Sequence, residues 1–335
     1  MIRLIQIAHP KTGRRIAKID GDRCVLVRAQ TTVYGLAYAV IRQDGALVAE
    51  IEKNLSGESL DYNAIYTGQS DWKLLPAFDH PDEPARCLVS GTGLTHKASA
   101  ENRDAMHDKG DEAPLTDSMR IFQLGLEGGK PEPGKIGTPP EWFYKGCGTI
   151  LKAHGDPMDV PPFADDGGEE PEVAGAYVID PNERPRRVGL VTGNEFADHV
   201  LEKKNYLYLA PSKLRDCAIG PELIVGADFQ DVSGTVAIER NGKSVWSRSI
   251  ATGEANMSHS LANLEHHQFK YPAHRRPGDA HIHLFGADAF SFGEGFSLQN
   301  GDVMVISWEG FGRPLRNPIR ISADPDTFVP VHPME

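Results

Sequence analysis

The sequence predicts an α+β protein with a small N-terminal unit and a β-rich second half. Three observations lead there. Strand-like runs at 173–179, 187–191, 281–285 and 303–308 follow one another without the regular intervening helices that a parallel α/β sheet requires. Residues 235–240 and 243–248 flank Asn241-Gly242, a dipeptide suited to the two left-handed positions of a type I′ turn, so they predict a hairpin. Residues 127–171 are dominated by glycine, proline and charge and read as long loops, the kind of segment that carries a site on a packed scaffold.

Taken in order, the first 80 residues or so form a small α+β unit. Strands at 15–19 and 24–27 flank the turn Asp20-Gly21-Asp22. A helix follows from Thr32, where Tyr34, Leu36, Ala37, Tyr38 and Ile41 fit one broad apolar face, until Asp44-Gly45 interrupts before 46–51. The polar, proline-punctuated stretch 79–84 resembles a linker and divides the chain into 1–86 and 87–335. A short strand from Cys87 ends in Gly91-Thr92-Gly93, which lacks the third glycine and the downstream acid of a dinucleotide fingerprint. Residues 98–126 are compatible with helix around an irregular middle, residues 142–150 form an apolar insertion in the loops, and a further helix runs from about Asn256 through His267.

Composition narrows the function. With 335 residues, 40% of them hydrophobic, the chain can bury a large core. Its longest apolar run, 34–41, falls short of the ~20 residues of a spanning helix, and Met1-Ile2-Arg3-Leu4 lacks a signal-peptide core, so a cytoplasmic protein with no membrane partner is expected. Four cysteines without a Cys-x-x-Cys pair suit a reducing compartment and give no thiolate zinc site. A net charge of −12 with no basic stripe excludes nucleic acid as a partner.

The residues with the most chemistry lie in Gly168-Glu169-Glu170-Pro171-Glu172-Val173. In a strand, Glu170 and Glu172 point to one face and can hold a hard cation between them. Glu195 supplies a third carboxylate just after the run 187–191. The bland alternative is a solvated acidic loop, since Asp165 and Asp166 lie close by. His199 and Glu202 would share a helical face with Glu195 if the segment turned helical there. His281 and His283 share a strand face but lack a third zinc ligand at suitable spacing, so packing explains them better. Lys213 borders a run that reads as buried, and no Gly-x-Ser-x-Gly elbow occurs for a serine hydrolase.

The order of these motifs resembles the fumarylacetoacetate hydrolase superfamily over about residues 87–322. The pieces are the glycine turn at 91–93, Phe143-Tyr144-Lys145, Gly155-Asp156-Pro157, Glu170-Pro171-Glu172, Gly193-Asn194-Glu195, Cys217-Ala218-Ile219-Gly220-Pro221, and Gly301-Asp302-Val303 leading to Leu315-Arg316-Asn317. The resemblance implies a mixed β-roll and a homodimer. It also implies a Glu-x-Glu pair plus a downstream acid that bind Mg²⁺, or Mn²⁺ or Ca²⁺ in its place, with the ion chelating a 2-oxo acid; Glu170, Glu172 and Glu195 take those positions.

The departures from the pattern point to a branch. Hydrolytic members carry Asn-Tyr-x-x-His-x-x-Glu after the first strand, whereas this chain offers 95–102, with Ser99 in place of the histidine and Glu101 displaced. The usual Asn-Asp-x-x-x-Arg-Asp becomes Asn194-Glu195-Phe196-Ala197-Asp198-His199-Val200. These losses resemble the dehydratases of 2-keto-3-deoxy sugar acids, and imply elimination of water from such an acid, a pentonate giving 2,5-dioxopentanoate. Lys213 then protonates the leaving hydroxyl or holds the carboxylate, His199 and Glu202 are candidate bases, and Ser99, Glu101 and Lys145 line the substrate. Two alternatives are an acylpyruvate-type C–C hydrolase and a non-catalytic sugar-acid binding protein that kept the fold and metal.

Overall fold

The computed structural model describes residues 1–28, 30–106 and 116–334. The N-terminal unit is built on strands β1 (Ile2–His9), β2 (Gly13–Asp20), β3 (Arg23–Val27) and β4 (Leu55–Asp61). Helix α1 (Val33–Arg42) starts where Thr32 accepts a hydrogen bond from Gly35 N, and it turns Val33, Leu36, Ala37 and Val40 to the core. Helices α2 (Leu47–Lys53) and α3 (Tyr62–Tyr66) and the two-residue strand β5 (Lys73–Leu74) complete it. The sequence reading passes over β1 because its apolar residues do not simply alternate: Ile2 and Leu4 enter one core cluster while Ile5 and Ile7 enter another.

The remainder begins with β6 (Cys87–Gly93), α4 (Lys97–Met106) and α5 (Asp117–Gly128). Within the stretch read as loops stand β7 (Glu141–Cys147), β8 (Leu151–Lys152) and β9 (Met158–Val160), so the apolar insertion is a strand. Its residues Glu141, Phe143 and Lys145 are buried and alternate with exposed Trp142 and Tyr144. Next come β10 (Pro171–Ile179), β11 (Pro185–Asn194), α6 (His199–Lys204), α7 (Leu209–Ser212) and β12 (Cys217–Val225). The hairpin forms as expected from β13 (Val232–Arg240) and β14 (Lys243–Thr252), with Asn241 at φ 53° and Gly242 at φ 74°. Helix α8 (Leu261–Phe269) starts later than expected, because Ser260 rather than Asn256 supplies the cap, accepting from Asn263 N. Strands β15 (Ala280–Leu284), β16 (Val303–Trp308) and β17 (Leu315–Ile321) finish the chain.

Among the described residues two sheets form. The larger has 12 strands, ordered β4-β3-β2-β1-β12-β11-β10-β15-β6-β7, with β5 on β1 and β8 on β12; the smaller is β14-β13-β16-β17-β9. Most pairs are antiparallel, but β15·β6, β12·β8 and β17·β9 are parallel, which makes both sheets mixed. Every residue of β10 and β12 is buried, so the middle of the large sheet is covered on both faces. The small sheet packs there through Val236, Ile306 and Trp308, which meet Val173 and Leu190 in one cluster.

The N-terminal unit is joined to the rest by more than the β1·β12 pairing. Glu222 is fully buried on β12 and accepts from Tyr62 Oη at 2.8 Å and Arg313 N at 3.0 Å, with Arg3 3.4 Å from its other oxygen. Tyr62→Phe removes one donor from a buried carboxylate, so a loss of about 1.5–3 kcal/mol is expected, read as a lower melting temperature. A Tyr62→Phe variant that melts with the parent would show that this bond carries no stability.

Candidate metal centre

Pro171 opens β10, the position in a strand where a missing N–H costs least. Glu170 precedes it and Glu172 follows, so their side chains fall on one face. Pro171 is the register partner of Asn194, and one step outward Glu195 N donates to Glu170 O at 3.0 Å. Directly opposed residues of an antiparallel pair share a face. Strand pairing alone therefore brings Glu195 beside the other two carboxylates. Each of Glu170, Glu172 and Glu195 offers one oxygen, these atoms lie within 4.8 Å of one another, and all three residues are buried.

The expected helical face through Glu195, His199 and Glu202 is corrected here. Phe196 takes φ 56°, Ala197 pairs with Gly168, and α6 begins only at His199, where Asp198 accepts from Leu201 N at 2.9 Å. Glu195 thus belongs to the strand end and only His199 and Glu202 to the helix. Both still reach the cluster, since residues three apart share a helix face. His199 Nε2 lies 3.0 Å from Glu170 Oε1, and Glu202 Oε1 accepts from Ser212 Oγ at 2.7 Å and lies 3.2 Å from Lys213 Nζ.

Two buried lysines meet the carboxylates. Lys213, just past α7, donates to Glu170 Oε1 at 2.6 Å and Glu195 Oε2 at 2.7 Å. Lys145 Nζ stands 2.8 Å from Glu195 Oε1 and donates to the carbonyls of Phe196 and Lys213 at 2.7 and 2.8 Å. An ammonium has three hydrogens. Lys145 donates two of them to backbone carbonyls, which ties it to the frame of the site beside Glu195.

The charges settle unevenly. Burial, then the neighbouring charges of Glu195 and Glu170, hold the Glu172 carboxyl well above the usual range. Burial and the charge of Glu170 push Glu195 up to about 7, against the pull of both lysines. Burial pushes Glu170 the same way, but Lys213 and His199 override it and bring that group well below its ordinary value. Burial disfavours charge on His199, yet its hydrogen bond to Glu170 wins and raises it.

The donor set fits a hard divalent cation. Glu172 Oε2 accepts from Gly286 N at 2.6 Å, while Oε1 is buried without a hydrogen-bond partner. Lys213 and His199 both engage Glu170 Oε1, so neither of them holds its other oxygen. Carboxylate oxygens held one per residue suit the octahedral shell of Mg²⁺, with water or a ligand filling the remaining positions.

No family model matches the chain, and no curated protein matches it by sequence. Solved structures do match. The apo form of 2-keto-3-deoxy-D-arabinonate dehydratase superposes with a TM-score of 0.69 at 17% identity, over 96% of this chain and 100% of that one. The same enzyme complexed with magnesium and 2,5-dioxopentanoate gives 0.70 at 17% identity and the same coverage. The chain has their fold. This is the mixed β-roll that the resemblance implies. It also matches 5-carboxymethyl-2-hydroxymuconate delta-isomerase from Mycobacterium smegmatis, with a TM-score of 0.58 at 19% identity, over 96% of this chain and 100% of that one.

Other expected residues fall at varying places on this β-roll. Ser99 is buried and Glu101 exposed on α4, where Glu101 pairs with Lys97 at 3.4 Å. Residues two apart on a helix do not face the same way, and Glu101 faces solvent. His281 and His283 are packed as expected, bonded to Gln268 at 3.2 Å and Ser90 at 2.9 Å, and burial lowers them to about 4 and about 3. Asp165 stays outside the cluster and pairs with Lys204 at 2.6 Å. Sequence reasoning missed Gly286, the aromatic residues Phe290 and Phe292 against His199, and Glu141, which shares the inner face of β7 with Phe143 and Lys145 and accepts from Tyr206 Oη at 2.7 Å. Only Glu141 had a local signal, the alternation of its strand.

Proposed function

We propose that this chain is a divalent-metal-dependent hydro-lyase that removes water from a 2-keto-3-deoxy sugar acid, a pentonate giving 2,5-dioxopentanoate. The observation that carries the reading is the buried Glu170, Glu172 and Glu195 cluster with Lys213 in contact, set in a fold shared with a dehydratase solved with magnesium and 2,5-dioxopentanoate. The three glutamates would hold Mg²⁺ or Mn²⁺. When bound, the cation supplies Lewis-acid polarisation of the 2-oxo group, which acidifies the C3 protons. A cytoplasmic homodimer acting on a small 2-oxo acid completes the reading; among the described residues no helix is long and apolar enough to cross a membrane.

The protein's own groups divide the proton work. The C3–H bond breaks toward a base, the C4–O bond breaks with the hydroxyl taking a proton to leave as water, and tautomerisation of the remaining 5-hydroxy enone gives 2,5-dioxopentanoate. Lys213, held by Ser212-bonded Glu202, is the proton donor placed at the cluster. His199 is set aside as the base: it is 1% exposed, Nε2 is committed to Glu170, and Nδ1 is packed against Gly168. Glu202 and Glu141 are the carboxylates left for that role.

The test is a direct comparison of rates. The purified chain with Mg²⁺ is offered 2-keto-3-deoxy pentonates and hexonates, with detection of the semialdehyde, and acylpyruvates, with detection of C–C cleavage. Dehydration should be the faster reaction. Faster cleavage would make the chain a hydrolase, and binding of sugar acids with neither reaction would make it a binding protein.

A further inference from the structure

His199 is enclosed on several sides. Its ring stacks on Phe290, with centroids 4.7 Å apart and planes at 6°, and on Phe292, at 5.1 Å and 25°. At the ring edge, a Cβ built on Gly168 would stand 2.7 Å from His199 Nδ1, so only glycine lets the backbone pass. The opposite nitrogen, Nε2, is 3.0 Å from Glu170 Oε1. An ionised carboxylate is an acceptor only, so Nε2 carries the proton of this bond.

The segment that supplies the two rings is itself anchored to the carboxylate strand. Gly286 N donates to Glu172 Oε2 at 2.6 Å, and Ser291 donates to buried Glu169 through N at 2.7 Å and Oγ at 2.9 Å. Asp288 accepts from Ala251 N at 3.0 Å, which ties the same segment to β14. Residues 286–291 therefore touch both ends of the Glu169–Glu172 run, with the aromatic pair standing over the histidine between them.

The geometry points to Phe290, Phe292 and His199 as a positioning group for Glu170: the two rings and Gly168 fix the imidazole, the imidazole fixes Glu170 Oε1, and the other carboxylate oxygen is thereby presented to a cation. The two rings act through His199 and do not touch substrate. This rests on the reading of Glu170 as a metal ligand. Outer partners of metal ligands set affinity by orienting them, and their loss typically costs about 10- to 100-fold.

The experiment titrates the chelator-treated full chain with Mn²⁺, following free Mn²⁺ by electron paramagnetic resonance, with no substrate present. His199→Ala should weaken binding about 10- to 100-fold. Phe290→Leu with Phe292→Leu should weaken it in the same direction although every ligand and the histidine remain. His199→Gln, which keeps an N–H donor near the Nε2 position, should recover most of the loss. Should the double substitution fold poorly by thermal melt, Phe292→Leu alone is used, because Phe292 is only half-buried. In ¹⁵N-histidine spectra, the hydrogen-bonded Nε2–H of His199 should be present in the parent and lost in the leucine variants. Parent-like Mn²⁺ affinity in the folded leucine variants would overturn the inference while leaving the metal reading intact. Failure of the unsubstituted chain to bind Mn²⁺ would overturn the metal reading, and this inference with it.

Discussion

Glu172→Ala is expected to abolish both metal binding and turnover. Glu172 is 1% exposed, one of its oxygens holds Gly286 N, and the other has no partner. Truncation removes one of the three candidate ligands, leaves the Gly286 N–H unmet, and leaves only Glu170 and Glu195, both of which Lys213 also engages. Lewis-acid stabilisation is worth several kcal/mol, so the rate should fall by about 10³-fold or more. Mn²⁺ titration and a semialdehyde assay on the same preparation give the two readouts. Glu172→Gln separates charge from shape: it still accepts from Gly286 but brings no negative charge, and it should bind the ion poorly while keeping its fold. Parent-like Mn²⁺ affinity in the alanine variant would end the three-glutamate assignment.

Lys213→Met should have the opposite signature, a large loss of rate with the metal retained. A general acid contributes about 10²- to 10⁴-fold, so a smaller loss than the lower figure removes Lys213 from proton transfer. Metal affinity should hold or rise, because the substitution withdraws a cation that lies 2.6 Å from Glu170 and 2.7 Å from Glu195. If affinity for Mn²⁺ collapses instead, Lys213 serves mainly to hold the two carboxylates together.

What the sequence made legible was local. The Glu170 and Glu172 pair follows from strand period, and the Asn241-Gly242 hairpin from the backbone angles its turn demands. Glu195 was legible as an acid after a strand, but not as the residue opposite Glu170, because register is a property of two segments and neither shows it alone. The left-handed turn at Phe196 broke the expected helical face, and a phenylalanine gives no warning of φ 56°. Gly286 meets Glu172 from 114 positions away, and Phe290 reaches His199 from the same distant segment. Such contacts leave no mark on composition or periodicity. β1 stayed hidden for a related reason: a strand buried on both faces has no polar side to reveal its period.

The pairing of Ile2, Arg3 and Leu4 with Val225, Ile224 and Leu223 has a consequence for anyone dividing this chain. A cut near residue 86 falls in a linker of the sequence, but it unzips a seam in the middle of the large sheet. The shortened chain would present β12, nine buried residues long, with its outer backbone groups open along 223–225. An uncapped apolar strand of this kind is a template for another strand, so the fragment should self-associate instead of surviving as a monomer. During synthesis the same seam stays open from the other side: β1 leaves the ribosome long before β12 is made, and it must wait for that partner before the sheet can seal.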